Sequence, residues 1–231
     1  MESVSDNWKQ LKKNFSFTWK NEDLLKESLT HSSYLNEHRR EEKRHNERLE
    51  FLGDAVLELV SSVYLYKKFP EEQEGFLTNL RAALVNTDSL TLVSKKLGIN
   101  KYLRLSKGES KNITSSSSAI LADALEAVIG AIYLDQGLEM ADDFITRNIM
   151  SRYQEVIQEH SYRDSKSLFQ EMAQERFRKT PQYKTLGSSG PDHNKVFKVG
   201  LYLDDEEIAE GLGKSKQEAE ENAAKNGLAK Y

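Results

Sequence analysis

The apolar residues of this chain change period once, and that change limits the folds open to it. Up to about residue 150 they recur at three- and four-residue intervals, in Leu24–Leu35, Leu49–Phe69, Leu77–Leu97 and Ala119–Leu134, the spacing of helices that bury one stripe. No segment of this half alternates convincingly. Beyond residue 164 the pattern mixes. Ser165–Lys179 is helical, with Leu168, Phe169, Met172 and Phe177 apolar. Gln182–Leu186 suits a short strand, and Asn194–Leu203 alternates, with Phe197, Val199, Leu201 and Leu203 on one face. After the turn Asp204-Asp205-Glu206, Glu207–Gly213 suits a third strand, and Ser215–Tyr231 returns to helix with Ala219, Ala223, Ala224 and Leu228 inward. The expectation is an all-α domain over residues 1–152, a polar linker over 153–164, and a small α+β domain over 165–231. The order α-β-β-β-α puts the helices of that second domain on one face of an antiparallel sheet.

Within the helical half, two pairs of carboxylates sit inside apolar runs. One is Glu50 and Asp54, in Glu47-Arg48-Leu49-Glu50-Phe51-Leu52-Gly53-Asp54-Ala55-Val56-Leu57; the other is Asp123 and Glu126, in Ile120-Leu121-Ala122-Asp123-Ala124-Leu125-Glu126-Ala127. Acids three or four apart share a helix face and repel by a few tenths of a kcal/mol. Partial burial makes them costlier unless a cation compensates. Arg48 is the one basic flank, and nothing basic lies close in sequence to Asp123 or Glu126. Divalent cations such as Mg²⁺ take carboxylate oxygens, and four acids from two helices suit one ion or a pair of them. The competing reading is that these acids are solvated charges on amphipathic helices. Against it stand the Leu, Phe, Ala and Val residues around the first pair. Gly53 in mid-helix costs about 1 kcal/mol against Ala, so a close approach by a neighbouring helix is expected there. Asn46 suits the N-cap of this helix, Phe69-Pro70 its end, and Gly98 and Gly137 read as helix C-terminal glycines.

Composition narrows the chemistry. There is no Cys, so disulfides, thiolate metal sites and Cys nucleophiles are excluded, which fits a reducing cytoplasm. The five histidines are scattered without a His-x-x-x-His spacing, which argues against a zinc hydrolase. No apolar run reaches the roughly 18 residues of a membrane span. Neither a membrane nor a nucleotide cofactor is expected. The net charge is −4, all of it in residues 1–162, because residues 163–231 hold 12 basic and 12 acidic groups. Any nucleic-acid surface must therefore be local. Two polar stretches, Glu37–His45 with Arg39, Arg40, Lys43 and Arg44, and the Ser-rich Ser106–Ser118, lie next to the acidic runs in sequence and could touch an anionic substrate.

Asn46–Asp54 resembles the signature stretch of the ribonuclease III family. Leu121–Ala127 is similar to its second acidic motif, Glu74-Gly75-Phe76-Leu77-Thr78 to a third stretch, and residues 165–231 to its double-stranded RNA-binding domain. The resemblance covers nearly the whole chain, in the short bacterial arrangement. It implies that Glu50, Asp54, Asp123 and Glu126 hold Mg²⁺, with Mn²⁺ a plausible substitute, and that Asp54 and Glu126 are the catalytic pair. It implies a homodimer in which Phe51 enters a socket on the partner, and Glu47 and Glu74 reach toward the partner's site. The implied reaction is hydrolysis of both strands of duplex RNA, leaving 5′-phosphate, 3′-hydroxyl and a short 3′ overhang, in the processing of ribosomal RNA precursors and other structured transcripts.

For the distal module, the resemblance implies that Gln170 and Glu171 meet one minor groove and His193, Asn194 and Lys195 a second. Lys214, Ser215 and Lys216 would bind the phosphates between them. The sequence departs from the family at Gln217 and Glu220, where basic residues are usual, so weaker and salt-sensitive RNA binding is expected. Two other readings are a non-catalytic RNA-binding regulator that dimerises through the helical domain, and a helical scaffold whose acids pair with a partner's arginines.

Overall fold

The computed structural model describes residues 11, 12, 15, 17–38, 44–112, 118–159, 165–191 and 195–231. Contacts divide the chain into two compact units, residues 1–162 and 163–231. The first contains α1 (Glu22–Ser28), α2 (Ser32–His38), α3 (Glu47–Lys68), α4 (Glu74–Val85), α5 (Thr87–Lys96), α6 (Lys107–Asn112), α7 (Ser118–Gln136), α8 (Leu138–Asn148) and α9 (Tyr153–Gln158). Helix α7 runs through the middle. Its Leu121, Ala124, Leu125, Ala127, Val128, Ile129, Ala131 and Ile132 are all buried, as expected of a helix that is apolar nearly all round. Helix α3 crosses it at two glycines. A Cβ on Gly53 would sit 1.8 Å from the Glu126 carbonyl oxygen, and one on Gly130 2.2 Å from that of Leu49. Only glycine at both positions lets the two backbones touch.

Three local expectations give way. Leu24–Leu35 is two helices, because Thr30 leaves the helical path to form a parallel bridge with Arg104. Leu77–Leu97 is also two, divided at Asn86, whose side chain accepts from Ser89 N at 2.9 Å and caps α5. Asn46 does not cap α3. Its backbone is already in the right-handed helical region, its N–H donates to Thr30 O at 2.8 Å, and its buried amide makes no hydrogen bond among the described residues. Part of the Ser-rich stretch is α6, and residues 39–43 of the basic run Glu37–His45 lie outside the described residues. Of residues 153–164, Tyr153–Gln158 is helix α9, with Val156 buried in the first core.

The second unit contains α10 (Ser165–Phe177), β1 (Pro181–Ser189), β2 (Val196–Leu203), β3 (Glu206–Gly213) and α11 (Lys216–Leu228). The sheet is antiparallel, in the order β1-β2-β3. Phe169 and Ala173 of α10, Ala223 and Ala224 of α11, and Leu201, Leu203, Ile208 and Ala209 of the sheet form its core. Strand β1 outruns its apolar pattern. Gly187, Ser188 and Ser189 are exposed and held by pairing with Lys198, Phe197 and Val196, a backbone contribution that side-chain periodicity does not record.

Candidate functional site

The crossing of α3 over α7 brings three acids together. Carboxylate oxygens of Glu50, Asp123 and Glu126 lie within 4.8 Å of one another. All three side chains are half-buried. Burial is the main reason their pKa values rise. For Glu50, the charges of Asp123, Glu47 and Asp54 add to it. Glu126 is pushed up to about 7, first by burial and then by Asp54, Asp123 and Glu50. Asp123 is raised by burial, while His31 and a backbone hydrogen bond pull it back. Asp54, one turn beyond Glu50, is exposed and stands outside the three-way cluster, although its charge reaches Glu126.

Another acid of α7 shows what a satisfied carboxylate looks like in this fold. Buried Asp135 accepts from Lys20 N at 3.0 Å and Asn21 N at 2.7 Å. Among the described residues, no lysine or arginine forms an ion pair with Glu50, Asp123 or Glu126. Three convergent, mutually repelling oxygen donors fit a hard divalent cation. His31 is the group that sequence reasoning passed over. Its effect on Asp123 depends on how α1 packs on α7, and no spacing along the chain could show it.

The expected dimer residues are at the surface. Phe51 is 82% exposed and heads a stripe along α3 with Leu59, Val63 and Tyr66. Glu47 is exposed, 3.7 Å from His45 Nδ1. Exposed Glu74 accepts from Thr78 Oγ1 at 2.9 Å and lines a groove of about 360 Å³ with Val63, Tyr66, Leu77 and Arg81.

In the second unit, Gln170 and Glu171 are exposed on α10, and Lys214, Ser215 and Lys216 are exposed at the start of α11. Ser215 Oγ caps α11 by accepting from Glu218 N at 3.1 Å. Lys195 precedes β2, with its ammonium 5.9 Å from the Phe197 ring centre. His193 and Asn194 lie outside the described residues. Glu220 has a partner within the unit. Lys166 Nζ lies 2.6 Å from its carboxylate and ties α10 to α11.

Comparison with known proteins supplies independent findings. A family model described as ribonuclease-III-like matches residues 21–153, and the double-stranded RNA binding motif matches residues 165–231. The chain is 44% identical over 223 residues to Ribonuclease 3 of Carboxydothermus hydrogenoformans, covering 96% of this chain and 95% of that protein. It is 40% identical to Ribonuclease 3 of Sulfurovum sp., covering 96% and 97%. Among solved structures, it resembles the nuclease domain of ribonuclease III from Campylobacter jejuni, whose report describes flexibility in a region involved in dimer formation. The identity is 40% and the TM-score 0.57, covering 62% of this chain and 96% of that one. No helix among the described residues is long and apolar enough to cross a membrane.

Proposed function

Because this chain belongs to the ribonuclease III family, we propose that it is an endoribonuclease that hydrolyses both strands of double-stranded RNA with the help of a divalent metal. The observation that carries this reading is the convergence of Glu50, Asp123 and Glu126 oxygens within 4.8 Å. Residues 1–152 would form the nuclease domain and 165–231 the RNA-binding domain, with 153–164 the connection between them, its first part the core-packed helix α9.

Glu50, Asp123 and Glu126 would hold the metal, with Asp54 joining from the next turn of α3. Mg²⁺ is the ion that these hard donors suit best, and Mn²⁺ is a plausible substitute. When bound, it supplies Lewis acidity, which makes water a competent nucleophile near neutral pH and offsets charge on the phosphate. The chain's own contribution is placement. The Gly53–Gly130 crossing fixes the two ligand-bearing helices, and the surrounding apolar packing restricts water. Asp54, exposed one turn beyond Glu50, would orient an attacking water, the role that the family resemblance implies for it together with Glu126.

The exposed stripe around Phe51 supports a homodimer, in which Glu47 and Glu74 would face the partner's acids. Two sites offset across a duplex account for a short 3′ overhang. Gln170, Glu171, His193, Asn194, Lys195, Lys214, Ser215 and Lys216 would contact RNA. Structured transcripts, including ribosomal RNA precursors, are the proposed substrates, and the cytoplasm the proposed location.

The test is incubation with a long RNA duplex, with Mg²⁺ or EDTA, followed by mapping of the fragment ends. Cleavage with Mg²⁺ alone, giving 5′-phosphate ends, is expected. Glu126→Gln should abolish it yet still bind duplex RNA. Undiminished cutting in EDTA, or by that variant, would refute the assignment.

A further inference from the structure

We propose that His31 is a further substrate contact of the cleavage site, donating its Nε2–H to a non-bridging oxygen of an RNA phosphate that lies against Asp123. The proposal rests on the RNA-cleaving function given above, and it starts from how rigidly the imidazole is held. The backbone around it is clamped from two sides. His31 N donates to Arg104 O at 3.1 Å, and Arg104 N to Leu29 O at 2.8 Å. Asn46 N donates to Thr30 O at 2.8 Å, and Glu50 N donates to Asn46 O at 2.8 Å. The residue before His31 is thus tied, through one intermediate, to the turn of α3 that carries Glu50. Thr30 itself is fully buried, with Arg104 Nη1 3.0 Å from its Oγ1.

The ring is held as firmly as the backbone. Ser33 N donates to His31 Nδ1 at 3.2 Å. An Nδ1 that accepts carries no hydrogen, so the ring's N–H is at Nε2. Ser33 Oγ lies 2.8 Å from the same nitrogen and accepts from Ser106 N at 3.1 Å. Ser106 opens the polar stretch that the sequence places before α7. The result is a half-exposed ring with one nitrogen fully used and a donor left on the other.

That donor has no acceptor among the described residues, although Asp123 lies within electrostatic reach of the ring. A fixed N–H left open beside an acid cluster suits an anionic oxygen brought in by the substrate. Asp123 and its neighbours would hold the metal, and a phosphate drawn to that site would present its remaining oxygens to the rim where His31 stands. A purely structural histidine would need only its Nδ1 partners.

The two nitrogens allow a clean test. In Gln the amide nitrogen falls near the position of Nε2, and in Asn it falls near Nδ1. For the full-length chain cutting an RNA duplex in Mg²⁺, His31→Ala and His31→Asn should lower kcat/KM by about 10- to 100-fold, the range for one hydrogen bond to a charged group. His31→Gln should recover most of the loss. Melting temperatures in EDTA should be the same for the Gln and Asn variants. The proposal is overturned if His31→Ala cuts at the wild-type kcat/KM. It is also overturned if Gln and Asn are equally impaired, or if lost activity follows lost melting temperature. A wild-type chain that does not cut duplex RNA would instead remove the underlying function, a result distinct from all of these.

Discussion

Glu126 shows how one residue links stability to chemistry. Its carboxyl is pushed up from 4.5 to about 7, chiefly by burial and then by three neighbouring acids. The folded chain therefore holds that proton more tightly than the unfolded chain does. The associated stability is complete below about pH 4.5 and is lost as pH rises through about 7. The interval corresponds to at most about 3 kcal/mol, and solvent reaching a half-exposed group reduces it to about 1–2 kcal/mol. In EDTA, Tm should fall between pH 5 and pH 8, and Glu126→Gln, which cannot ionise, should flatten the fall. A wild-type Tm that holds level or rises over that range would contradict this account. Mg²⁺ should raise Tm more at pH 8 than at pH 5, because binding requires the ionised acids. Gly53 makes a second prediction at the same scale. Exchanging Gly for Ala inside a helix ordinarily stabilises by about 1 kcal/mol. Here the new Cβ would meet the Glu126 carbonyl at 1.8 Å. Gly53→Ala should destabilise by about 1–3 kcal/mol and slow cleavage, because the turn of α7 it displaces carries Glu126, a proposed metal ligand. A urea midpoint above wild type would show that the helices do not touch there.

Among the elements, α3 and α7 were legible from the chain because their apolar positions recur over five turns or more. The contact between them was legible only in outline. Gly53 announced a close approach, but its partner Gly130 stands in a run with no unusual feature, and the convergence of Glu50 with Asp123 and Glu126 exists only once the helices cross. Helix ends were harder to read. Asn46 and Asn86 are the same residue type in similar settings, yet Asn86 caps a helix and Asn46 does not, because backbone bonding to Thr30 has already committed Asn46 to the helical path. In α11 the departure at Glu220 acquires a structural reason, the ion pair to Lys166 that fastens α10 and α11. Gln217 has no such role and is exposed beside Lys216. Gln217→Lys should therefore add one phosphate contact without loosening the fold. In the non-cleaving Glu126→Gln background, the slope of log K against log salt should steepen by about one. An unchanged slope would mean that this part of α11 does not face the RNA backbone.

For the whole molecule, the net charge of −4, taken alone, speaks against a nucleic-acid partner, and the acid cluster accounts for part of that excess. Carboxylates committed to a cation no longer repel phosphate. What a single chain cannot explain is cutting of both strands, since it carries one such cluster among its described residues. The apolar stripe of Phe51, Leu59, Val63 and Tyr66 offers the remedy, because a second copy laid against it would cover the stripe and bring a second cluster. Phe51→Asp should then shift the chain from dimer to monomer in light scattering at micromolar concentration, with loss of double-strand cutting. A sharper prediction follows from mixing wild-type chains with Glu126→Gln chains after full subunit exchange. If each cluster cuts one strand, mixed dimers can only nick. Doubly cut product, read on a native gel, should fall as the square of the wild-type fraction, while nicks read on a denaturing gel should be enriched at equal proportions. A doubly cut yield that falls in simple proportion to the wild-type fraction would mean that one cluster cuts both strands in turn, and the two-site arrangement would have to be abandoned.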